Sequence, residues 1–155
     1  MDSESNLERA RRLIGKEFNL KPPSMEISMG DINFLNEAHR EKFTEYCQMA
    51  HIHNSDRERK ALFYIMAGCP DLISKGINNL YDFKDNMVRF HPDRLDEDEE
   101  KFCFCTSSQA LCRLALNLYN RSFPSLSVSD TFYSLDEDNL KLALNAIKKI
   151  RFNIE

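Results

Sequence analysis

The sequence predicts a mainly α-helical fold: a compact domain of about five or six helices, with an N-terminal helical extension and at most one short β-hairpin. Three observations lead there. Only 4 Gly and 5 Pro punctuate 155 residues. Apolar residues recur at three- and four-residue spacing, and β-branched alternation is nearly absent. The segment Thr106 to Asn120 places Leu111, Leu114, Ala115 and Leu118 on one helical stripe. It opens on Thr106 and Gln109, the spacing of a capping box, in which each side chain satisfies the other residue's backbone N–H.

Taken in order, the first expected helix covers about Ser5 to Phe18, with Leu7, Arg11, Ile14 and Phe18 on one face and a basic remainder. Lys21-Pro22-Pro23-Ser24 stops it, because proline lacks an N–H and disfavours helix in the residue before it. Residues 19 to 32 read as a linker, and the main domain is expected to begin near Asn33. The expected division is an extension over 1–28 and a helical domain over 29–155.

Within that domain a second helix is expected from about Asn36 to His51, aligning His39, Phe43, Tyr46, Cys47 and Ala50. A third opens on the capping-box pattern Ser55-Asp56-Arg57-Glu58, carries Leu62, Phe63, Ile65 and Met66, and ends at Gly68. Pro70 suits the first turn of a short helix to Lys75. Gly76 to Phe90 is open between a helix through Ile77, Leu80, Tyr81 and Phe83 and a short strand at Met87-Val88-Arg89-Phe90. After the Thr106 helix, residues 121 to 134 read as loop. A last helix follows Asp136 as N-cap, with Leu135 and Leu140 as a hydrophobic staple and a stripe of Leu140, Ala143, Leu144, Ile147 and Ile150. Lys148, Lys149 and Arg151 suit the negative end of its dipole. The predicted core joins Leu62, Phe63, Met66, Leu111, Leu114, Leu118, Leu140, Leu144 and Ile147.

A hydrophobic fraction of 42% with 11 Phe supplies a core without metals or disulfides. The net charge of -4 argues against direct, nonspecific nucleic-acid binding, which needs a basic face to displace counterions. No apolar run reaches the roughly 20 residues that cross a bilayer, so no membrane association is expected. Met1-Asp2-Ser3-Glu4 is acidic where a secretory signal would be positive, and five irregularly spaced cysteines read as reduced thiols. The expected compartment is cytoplasmic.

Several short patterns invite a chemical reading. Phe90-His91-Pro92-Asp93-Arg94 resembles the signature tripeptide of J-domain cochaperones. The basic helix that family requires before it is missing, since Leu80 to Asn86 mixes acids and aromatics, and the segment reads as a proline-broken turn. Cys103, Cys105, Cys112 and His91 offer four zinc-type ligands, and His51 and His53 an alternating pair. A C-x-C spacing sends its thiols to opposite faces of an extended segment, and Cys112 sits among leucines, so no metal and no cofactor are expected. The serines lack a nucleophile elbow and the glycines lack a phosphate loop, so no catalytic residue is assigned.

The strongest charge feature is Asp96-Glu97-Asp98-Glu99-Glu100. Five consecutive carboxylates repel one another and favour exposure. They read either as a solvated turn or as an acidic patch that meets a basic surface. These five residues are the candidate partner-binding site, and the aromatic positions Tyr81, Phe83, Tyr119 and Phe123 are the next surface to consider.

From Asn33 onward the chain resembles a small family of unknown function found in Gram-positive bacteria, their phages and mobile elements. The resemblance rests on Asn33-Phe34-Leu35-Asn36-Glu37-Ala38-His39, on Asp56 through Ile65, on Leu80-Tyr81-Asp82-Phe83, on the Thr106 helix and on Leu140 to Leu144. It implies an architecture and a genomic setting but no site residues, and it marks residues 1–28 as an addition, Met29 resembling the place where a shorter relative would start. Together with small size and acidic balance, it leads to an expected role as a non-enzymatic interaction protein that modulates another macromolecule. A concrete version is a counter-defence inhibitor of the anti-CRISPR type, acting on a basic nucleic-acid-binding protein. The alternative is a small Cys/His metal-binding protein or an enzyme.

Overall fold

Arg57-Glu58-Arg59 and then eight consecutive buried residues, Lys60 to Ala67, form the helix around which the chain is organised. A helix apolar on all sides over two turns must be surrounded, and this one is packed by four of the other helices and the π turn that ends the chain's last helix. A computed structural model of the protein describes residues 32–89, 94–95 and 104–155. Among them are six α-helices: α1 (Glu37–Met49), α2 (Arg57–Gly68), α3 (Pro70–Lys75), α4 (Thr106–Tyr119), α5 (Val128–Ser134) and α6 (Glu137–Asn145), the last continued by a π turn over Ala146–Arg151. Tyr81–Asp82 (β1) and Met87–Val88 (β2) make one short antiparallel hairpin. The mainly helical fold with a hairpin is thus the architecture observed. The expected N-terminal helix, its proline stop and the start at Met29 lie outside the described residues.

Helix α1 begins where Asn36 accepts from the N–H of His39, and it buries His39, Phe43, Tyr46 and Cys47 against α2. It ends in a Schellman motif: His51 N–H donates to Gln48 O (3.1 Å) and Ile52 N–H to Cys47 O (3.3 Å). His51 is the left-handed residue that this motif requires, at φ 48°. Helix α2 is capped by Asp56, which accepts from the N–H of Arg59 at 3.0 Å. The expected cap one residue earlier is therefore corrected: the carboxylate of Asp56 is the better acceptor and also pairs with Arg59 at 3.4 Å. Pro70 takes the first position of α3, as its missing N–H allows.

The ambiguous segment after Gly76 is resolved as a 3₁₀ turn (Ile77–Asn79) followed by the hairpin, with Tyr81 paired to Val88 and Asp82 to Met87. Asp82 Oδ1 accepts from the N–H groups of Lys84 and Asp85, and Asn86 takes the left-handed conformation that closes the turn.

Three further expectations are corrected. Helix α4 has no side-chain cap: Cys105 is its N-cap residue, and Thr106 is already helical. Residues 121–134 are not all loop, because Ser127 accepts from Asp130 N–H and starts α5. Asp136 does cap α6, accepting from Asn139 N–H at 2.9 Å, but the buried stripe is Asn139, Leu142, Ala143, Ala146 and Ile150. Leu144 is 50% exposed, and Leu140, Ile147 and Leu114 are only half-buried. The two stripes of α6 differ by one residue, about 100° of rotation. The one lined by alanines is chosen because it lets α6 approach α2 at Gly68, where a Cβ would overlap Leu142 Cδ2.

Candidate functional site

The five acidic candidates, Asp96 to Glu100, lie outside the described residues, as do His91, Pro92, Asp93 and Cys103. The described chain brackets the acidic run: Leu95 is buried in the core before it, and α4 starts at Thr106 after it.

Cys47 is buried on α1, while Cys69 and Cys105 flank the α3–α4 contact. Ser108, buried on α4, donates to Asp71 Oδ2 at 2.7 Å. Its oxygen also lies 3.6 Å from Cys69 Sγ and 3.2 Å from Cys105 Sγ. The hydrogen bond from Ser108, with others from Cys105, holds the Asp71 carboxyl below its ordinary range, which makes it a poor base. Burial pushes the Cys69 thiol up, and pushes the fully enclosed Cys112 thiol up to about 12. The buried, neutral Cys69 and Cys112 thiols and the shielded Ser108 hydroxyl suit packing and a tie between helices, not a nucleophile. Among the described residues no three His, Cys, Asp or Glu side chains converge as metal ligands.

The histidines have local employment too. His53 Nδ1 and the Ser55 hydroxyl are 2.7 Å apart, while His51 closes the Schellman motif. His39 sits in the core with Nε2 2.8 Å from Tyr64 O, and its Nδ1 accepts from Leu35 N–H at 3.2 Å. That pattern fixes the proton on Nε2. Burial lowers the His39 pKa from 6.5, opposed by the hydrogen bond to Tyr64.

Tyr81, Phe83, Tyr119 and Phe123 form part of a continuous aromatic cluster with Phe63 and Tyr46, at ring spacings of 5.0–6.4 Å. Tyr81 is buried and the others are half-buried. Tyr81 and Phe83 belong to the hairpin itself, and the rings pack chiefly on one another and on the core.

Two surface features carry more promise, and neither was expected from sequence. On α5 only Thr131 is buried, while Val128 is 77% and Tyr133 95% exposed, with Leu126 also outside just before the helix. The second is a cleft of about 410 Å³ between the start of α2 and the end of the π turn. Lys60 is at its buried end, with Nζ donating to Asn54 O (3.0 Å) and Asn54 Oδ1 (3.2 Å). Ser55 and Arg57 form one side, and Lys149, Ile150 and Asn153 the other. The extra width of the π turn is closed by Asn153 at φ 50° and by Ile154 N–H donating to Lys148 O at 2.8 Å, which folds Ile154 and Glu155 back to the rim. Arg151 locks the two sides together, pairing with Glu58 at 3.2 Å and donating to Leu118 O at 3.2 Å. The helical pattern alone could not show this cleft, because Arg57 and Lys149 are far apart in sequence and each reads as an ordinary surface charge.

Fold and surfaces together define a small helical domain with a cationic cleft and a helix that exposes Val128 and Tyr133, without a converged catalytic cluster among the described residues. The chain belongs to a family of unknown function, DUF6075, whose model matches residues 29–154. No curated protein and no solved structure matches it. Among the described residues no helix is long and apolar enough to cross a membrane.

Proposed function

We propose that this protein is a non-enzymatic binding protein that engages and modulates another macromolecule. The observation that supports it best is α5. A short capped helix that leaves a tyrosine and a valine almost wholly in water gains little from folding there, and exposed aromatics of this kind are enriched where partners dock. The acidic run from Asp96 to Glu100 supplies the electrostatic half of the reading, with a basic nucleic-acid-binding protein as the partner. In its sharpest form the chain is a counter-defence inhibitor carried by a phage or mobile element. That setting rests on the resemblance described above.

The test is capture from a host extract with wild-type protein and two variants. One replaces Tyr133 and Val128 by Ser, and the other replaces Asp96, Glu97, Asp98, Glu99 and Glu100 by their amides. One basic partner should be retained by wild type and lost from the first variant. The second variant should associate more slowly at low salt and equally at high salt, where the Debye length falls to about 3 Å. Undiminished capture by both variants would overturn the proposal.

A further inference from the structure

The cleft between α2 and the π turn is independent of the α5 surface and has its own chemistry. Three cationic side chains line it, Arg57, Lys60 and Lys149, against one carboxylate, Glu155. The nearby acids of α2 are already engaged: Asp56 with Arg59 at 3.4 Å and Glu58 with Arg151 at 3.2 Å. No described residue pairs with Arg57 or Lys149. Lys60, only 9% exposed, is held by two acceptors on Asn54, and an ammonium has three donors. Beside these groups stand the Ser55 hydroxyl and the Asn153 amide, and the apolar side chains of Ile32, Ile150 and Ile154 make the remaining wall. A π turn is a rare interruption of a helix and is found often at functional sites.

We propose that this cleft is a binding site for a small phosphorylated molecule, with the phosphate on Arg57, Lys60 and Lys149 and its apolar body against Ile32, Ile150 and Ile154. A phosphate offers three acceptor oxygens to three separated cations, and the guanidinium fork matches two of them at once. A volume of about 410 Å³ lies within the range of small-molecule sites.

The experiment is isothermal titration of the full chain with inorganic phosphate, phenyl phosphate and phenol, repeated on Arg57→Ala/Lys149→Ala. Both substituted side chains lie at the surface, so the variant should keep its melting temperature in the absence of probe. Lys148→Ala, an exposed lysine of the same turn outside the cleft, is the control. Phenyl phosphate should bind more tightly than inorganic phosphate, and phenol not at all. The double variant should weaken phenyl phosphate at least tenfold, and the control by less than twofold. Failure of both phosphates to bind at millimolar concentration would overturn the proposal, as would equal binding by the double variant. A single-stranded oligonucleotide that displaces phenyl phosphate at lower concentration than a mononucleotide does would also overturn it, in favour of a nucleic-acid surface.

Discussion

Gly68→Ala tests the closest approach in the fold. Gly68 ends α2, and a methyl group there would overlap Leu142 Cδ2 and stand 2.9 Å from His39 Cε1 and Nε2. Neither neighbour can retreat at little cost. Leu142 is fully buried, and His39 is held at both ring nitrogens by Tyr64 O and Leu35 N–H. Overpacking of this kind costs about 1–3 kcal/mol. Against it stands the helix preference of alanine over glycine, about 1 kcal/mol in a helix interior and less at a last residue. The clash should win by about 1–2 kcal/mol, which for a chain of this size lowers Tm by about 3–6 °C. The assay is thermal unfolding followed by circular dichroism at the helix band. Leu142→Ala alone should cost about 2–5 kcal/mol through the cavity it leaves. In the double variant the new methyl occupies part of that cavity, so the two costs should sum to more than the measured loss. A Gly68→Ala protein as stable as wild type, or strictly additive costs, would refute the close packing of α6 on α2.

Two further outcomes follow from burial. Leu116→Ala on α4 should cost about 2–5 kcal/mol, because Leu116 is wholly enclosed, whereas Leu144→Ala on α6 should change stability by less than about 0.5 kcal/mol at its 50% exposure; urea unfolding of both variants checks the phase of the last helix. The lowered pKa of His39 makes stability pH-dependent in a defined direction. Above pH 6.5 the ring is neutral in both states. As pH falls below 6.5 the unfolded chain takes up the proton first, so stability is lost progressively down to the folded-state pKa. A denaturant midpoint that falls on acidification in wild type, and less so in His39→Gln, is the expected result.

Much of the fold was legible because its signals are local. Pro70 and Asp136 announce their helices by chemistry that acts within three residues, and Asn36, read only as the start of its helix, is the side-chain cap of α1. The apolar face of α1 is a single clean stripe, and all five residues assigned to it are buried. The misread positions fall into two kinds: the starts of α2, α4 and α5 turn on a choice among neighbouring capping residues, and the face of α6 and the margin of α4 depend on partners distant in sequence. Leucines at 140, 142 and 144 offer two possible stripes to α6, and only the absence of a side chain at Gly68 selects between them. Helix α4 packs against α2 on one side and against α5 and α6 on another, so its buried surface is wider than one stripe and Leu114 falls at the margin. Helix α5 was hidden because Val128 to Ser134 has no apolar periodicity; Ser127 and Asp130, a capping pair, were the available sign. The cleft required Lys60 to be seen from both flanks, and in the sequence Lys60 is only the last charge of the run Asp56 to Lys60, with nothing to mark it as buried.

The most direct test of a binding function is site-specific photo-crosslinking in the native host, with a photoreactive phenylalanine at position 133 and, as control, at exposed Gln48 on α1. The binding reading predicts one discrete adduct from position 133 that is absent from position 48 and that identifies a single partner. No adduct from position 133, or the same diffuse set from both positions, would contradict it.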